Sequence, residues 1–111
     1  MSNNVNLAKK MKNLADYHNS LGVILHHIHS DIKDFSMSGL YEMEIGKDYC
    51  HKFLQRNQCN YIVSNPDFAK TLKFKLEQEG FEVIHKDTFY NNEKVLLIKI
   101  KWQQPGNKSN I

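Results

Sequence analysis

The sequence of 111 residues is poor in most features that announce chemistry. It has two cysteines, Cys50 and Cys59, nine positions apart and outside any CxxC pattern. That excludes a disulfide framework and a thiolate zinc knuckle, and it fits two reduced thiols, one or both packed as small apolar groups. No run approaches the ~20 apolar residues that span a bilayer. The opening "MSNNVNLAKKMKN" lacks the apolar core of a signal peptide. There is no GxSxG elbow, no phosphate-binding loop, no glycine-rich dinucleotide turn and no HExxH. Arginine is nearly missing: lysine outnumbers it fourteen to one. A soluble, intracellular chain is expected, with no catalytic residues, no cofactor and no membrane partner.

What is present points to architecture. An apolar content of 41% in this length suits one compact domain. The net charge of +3 is unevenly spread. Residues 1–55 balance six lysines against six acids, whereas residues 56–111 set nine basic groups against six acidic ones. This excess permits nucleic-acid contact without requiring it. The candidate lysines are Lys70 and Lys73 on a helix and Lys99 and Lys101 on a strand. Few aromatics lie among them, and solvated faces that blunt a sheet edge explain them more simply.

Leu7, Met11, Leu14, His18, Leu21, Leu25, Ile28, Ile32 and Phe35 are spaced alternately four and three apart. This 3.5-residue repeat predicts one long amphipathic helix over about 4–35, with polar residues between the seam positions. Gly22 costs about 1 kcal/mol in such a helix and marks a kink or a close approach. Gly39 ends it. A helix of that length runs to about 48 Å, roughly twice the width of the remaining domain. One end of it must project or find a partner, and Leu14, His18, Leu21, Leu25 and Ile28 are the expected oligomer interface; the alternative is a kink at Gly22 that folds the two halves onto the sheet.

The remainder reads as a strand at 40–45, a short helix at 47–57 and a weak strand at 60–64. A helix then starts near Pro66 and stops at Gly80, and strands at 81–87 and 94–102 flank the turn "YNNE". The expected fold class is α+β, with a small, mostly antiparallel sheet of three or four strands carrying helices on one face. Residues 1–102 are expected to form the domain and 103–111, with nothing to bury, a flexible tail.

Half of the six histidines fall within "HHIH", residues 26–29. His26 and His29 share a helix face, and His27 is expected to pair with Asp31 at i+4. A zinc site needs three or four converging ligands, and this segment supplies at most two. The other ligands would have to come from His51, His85, Cys50 or Cys59, and no recognised spacing links them. The histidines are expected to be polar flanks of the helix, and no metal is expected. His18, a polar group on an apolar seam, is a register-setting residue. Cys50 and His51 are neighbours in sequence, whereas a nucleophile and its base normally meet across a fold.

The stretch from Ile28 to Trp102 resembles short proteins of tailed bacteriophages and other large DNA viruses. The resemblance rests on the helix–strand corner formed by Leu76, Gly80, Phe81 and Val83, and on a final strand closing with Ile100 and Trp102. It implies a small viral accessory or virion assembly protein that works through protein–protein contacts, with itself or with another viral or host protein. That class offers no catalytic residues to carry over. The expectation from another class is a nucleic-acid-binding or host-defence-inhibiting module, including a nucleotide sponge.

Overall fold

A computed structural model describes residues 2–102, with side chains from residue 6 onward. The polar tail expected at 103–111 lies outside the described residues. Seven elements follow in order: α1 (Ser2–His18), α2 (Leu21–Met37), β1 (Glu42–Ile45), α3 (Arg56–Ser64), α4 (Pro66–Gln78), β2 (Glu82–Tyr90) and β3 (Glu93–Lys101). The fold is α+β, with a three-stranded antiparallel sheet in the order β1-β3-β2.

The single helix expected over 4–35 is two helices. The break falls at Asn19–Ser20 rather than at Gly22. Ser20 takes an extended backbone (φ −72°, ψ 154°), and its hydroxyl accepts the amide N–H of Val23 at 3.4 Å. A serine that caps one helix must leave the preceding one, because the cap residue is non-helical by definition. Gly22 sits in the first turn of α2, where a glycine costs less than in a helix interior.

Two glycines close helices by the same device. Gly39 (φ +84°) follows α2, and Gly80 (φ +97°) follows α4. Beyond each, paired bonds cap the last turn: Leu40 N–H to Phe35 and Gly39 N–H to Ser36, then Phe81 N–H to Leu76 and Gly80 N–H to Glu77. This is the Schellman arrangement, which needs a left-handed residue at that position. Pro66 opens α4 as expected.

The segment 46–64 departs from expectation. Residues 46–55 are irregular, and the apolar run at 60–64, read as a strand, is the end of α3. Gln58 supplies the reason. Its side-chain oxygen accepts the N–H of Gln55 at 3.0 Å, satisfying a donor at the helix start. The buried residues Gln58, Cys59 and Ile62 then follow helical spacing.

β3 is the central strand. Ile100 pairs with Met43 on one side and Val83 on the other, and Ile98 pairs with Ile45 and His85. Asn91 and Asn92, at φ 51° and 67°, make the two-residue turn between β2 and β3. Positive φ at both positions matches the strand twist, and asparagine tolerates it. Ile98 and Ile100 face a core built with Ile24, Ile28 and Ile32 of α2, Ile62 of α3 and Leu72 and Leu76 of α4. Lys99 and Lys101 alternate to the opposite face.

Candidate functional site

α1 takes no part in this core. Every side chain from Asn6 to His18 is exposed. Along it, Leu7 is 56% exposed, Met11 53%, Leu14 51% and Tyr17 60%. Leu7, Met11 and Leu14 form one stripe with His18, because positions 7, 11, 14 and 18 fall within about 60° on a helix of 3.6 residues per turn. A helix of this length in water draws most of its stability from packing an amphipathic face. Here nothing among the described residues covers that face. The ion pair on α1, Lys12 with Asp16 at 2.7 Å, is solvent-exposed and contributes little.

The expected interface therefore divides at Ser20. Leu14 and His18 lie on the exposed stripe. Leu21 and Leu25 are half-buried and packed against the core. Ile28 has no exposed surface and belongs to the core. Past the break, α2 lies against the sheet and turns the same periodic stripe inward, so Ile28 is not available to a partner. Tyr17, which the heptad spacing leaves off the seam, flanks the exposed stripe.

One bond ties the end of α1 to the body. The buried amide of Gln58 donates from Nε2 to the carbonyl of His18 at 2.7 Å. Beside this tether a cleft of about 530 Å³ opens between α1 and α2, lined by Tyr17, His18, Ser20, Gly22, Val23, His26 and His27. No atom lies within 4 Å of where a Gly22 Cβ would stand, which leaves that wall open.

The other histidines are engaged separately. His29 pairs with Glu79 of α4 at 2.7 Å. The ring of His51 meets the carbonyl oxygen of Glu44 at 2.7 Å. His85 lies on β2 with its Nε2 buried and unpartnered, and burial together with nearby Lys73 lowers its pKa below the usual 6.5. Among the described residues, no three His, Cys, Asp or Glu side chains gather where they could hold a metal ion. The expected pairing of His27 with Asp31 is absent. Asp31 is 1% exposed, and its two carboxylate oxygens accept the backbone N–H groups of Phe53 (2.9 Å) and Leu54 (2.8 Å). A buried carboxylate that accepts two backbone amides holds a loop in place, and its burial closes it to solvent.

The thiols differ sharply. Cys50 is exposed, whereas burial pushes the Cys59 thiol up to about 12, so it stays protonated and unreactive.

The four candidate lysines do not form one patch. Lys70 is exposed and Lys73 half-buried on α4, which packs on the inner face of the sheet. Lys99 sits on the outer face between Glu42 and Glu44, at 3.6 and 3.8 Å. Lys101 stands in register with Glu42 and Glu82. The outer-face cations are thus interleaved with carboxylates, which offset the field a phosphate backbone would need.

Among the described residues, no helix is long and apolar enough to cross a membrane. No protein-family model, no curated protein and no solved structure matches this chain.

Proposed function

We propose that this protein is a non-enzymatic assembly protein that associates with further copies of itself through α1. One observation carries the reading: a helix of 17 residues presents Leu7, Met11 and Leu14 to solvent, each more than half exposed, with no cover from the described residues of its own chain. Exposed apolar groups scattered singly need no explanation, but a continuous stripe on a projecting helix marks an interaction surface. The likeness of Ile28–Trp102 to small viral proteins supports placing this role in a virus, as an accessory or virion assembly component.

Light scattering on the eluting protein tests the proposal. The expected mass is a whole multiple of 13.0 kDa. Leu14→Lys should return it to 13.0 kDa without loss of thermal stability, since Leu14 contributes nothing to the core. A native protein that stays at 13.0 kDa at high concentration overturns the proposal. Absorbance at 260 nm, recorded in the same run, should show a protein-like ratio; a monomer carrying excess 260 nm absorbance would speak for a nucleotide or nucleic-acid ligand instead.

A further inference from the structure

We infer that the partner of α1 is α1 of a second copy, laid antiparallel about a two-fold axis that passes between Lys12 and Asn13. The inference rests on the reading of α1 as a self-association helix and adds its orientation and register.

The seam is its own mirror in spacing. Leu7, Met11, Leu14 and His18 are separated by four, three and four residues, so reversing the helix returns the same pattern. Antiparallel pairing about that axis sets Met11 against Leu14 of the second copy, and Leu7 against His18. Each seam residue meets a seam residue, as knobs-into-holes packing requires.

The flanks favour the same direction. Ala8 and Ala15 lie on one side of the stripe, Lys10 and Tyr17 on the other. In antiparallel helices each flank meets its own kind. Ala8 then faces Ala15 of the second copy, and two methyl groups permit close approach of the backbones. On the other flank Lys10 faces Tyr17 of the second copy, where an ammonium over a phenol ring is attractive. Tyr17 is 60% exposed in the single chain and free to receive it.

Charge agrees. Lys9, Lys10 and Lys12 occupy the first part of α1 and Asp16 the last. Parallel helices would set the three lysines of each copy side by side, which is repulsive. Antiparallel helices separate the Lys9 and Lys10 pairs and bring Lys9 to the level of the other copy's Asp16; Lys12 lies beside the axis and is paired with Asp16 of its own chain.

Disulfide trapping tests the register. Met11→Cys and Leu14→Cys are made separately in a Cys50→Ser background, mixed in equal amounts and oxidised with diamide. The positions are exposed, so the variants should keep the fold. The expected product is the mixed disulfide, which joins the thiol introduced at position 11 of one copy to the thiol introduced at position 14 of the other. It should form in at least several-fold excess over either symmetric one. Symmetric pairs in this register are offset along the axis and exceed the ~7 Å Cα separation a disulfide spans. Predominant symmetric disulfides would overturn the antiparallel register while leaving self-association through α1 intact. A dimer by light scattering that gives no disulfide at either position would move the interface off α1 and sink both readings. A monomer that gives none would sink both as well.

Discussion

Replacing Asp31 should damage this protein more than replacing any other charged residue. Asp31→Ala removes both acceptors of the Phe53 and Leu54 amides. Leu54 is fully buried, so its N–H cannot turn to water, and an orphaned buried donor costs about 1–3 kcal/mol. Phe53 is 37% exposed, and its N–H recovers part of its loss by hydration. Adding the weaker second loss gives a total of about 3 kcal/mol, a large share of the ~5–15 kcal/mol that holds a domain folded. Asp31→Asn should lose a smaller amount, because one oxygen is kept while the amide NH₂ opposes the other backbone donor. Urea unfolding followed by circular dichroism reads the effect. With a slope of about 1–2 kcal/mol per molar, the midpoint should fall by roughly 2 M in Asp31→Ala at unchanged slope. Amide exchange at Phe53 and Leu54 should accelerate in the same variant. A midpoint within about 0.3 M of the native one would refute the reasoning, since the two amides would then be paired or hydrated by other means.

Other consequences can be checked on single variants. Gln58→Ala removes the donor to the His18 carbonyl and the acceptor for the Gln55 N–H; it should cost about 1–3 kcal/mol in urea and lower α1 helicity, and an unchanged far-ultraviolet spectrum would count against the tether. A thiol reagent should label one cysteine per native chain, Cys50, and two after denaturation, because Cys59 is buried and held protonated up to about 12; fast labelling of both in the native state would contradict the burial. His85 has a folded-state pKa below its unfolded value of 6.5, with burial the main cause, Lys73 adding to it and Glu77 opposing it. The unfolded chain therefore binds this proton first: stability is complete above about pH 6.5 and declines as pH falls through that value toward the folded pKa. His85→Leu should flatten this part of the stability profile between about pH 7 and 5; an identical slope in both proteins would rule out His85 as its source.

Where local chemistry and global packing agreed, the fold could be read from the sequence. Alternation in β3, the paired asparagines of the hairpin, and Pro66 and Gly80 bracketing α4 each had a mechanism visible in a few residues. The break at Ser20 did not stand out, because the heptad spacing runs through it unbroken and Gly22 offered a more familiar place to bend. Ser20 itself was the available signal, a good cap residue before an apolar run. The 60–64 segment is too short for periodicity to separate strand from helix. Asp31 left no trace at all: its partners are main-chain amides 22 and 23 residues away, and no side-chain pattern encodes them. The exposed stripe was visible as half of a longer seam. Only packing could tell that Leu7, Met11 and Leu14 stay outside while Ile28 goes in.

If copies join through α1 as proposed, its exclusion from the core separates two equilibria that most small oligomers couple. Residues 21–102 hold the buried apolar cluster, so their folding does not wait for a second chain. Melting of this body should be nearly independent of protein concentration, whereas ordering of α1 should follow mass action. On that proposal, substitutions along α1 should tune how tightly copies join without eroding the rest of the molecule, and substitutions in the body should be absorbed without dissolving the proposed assembly.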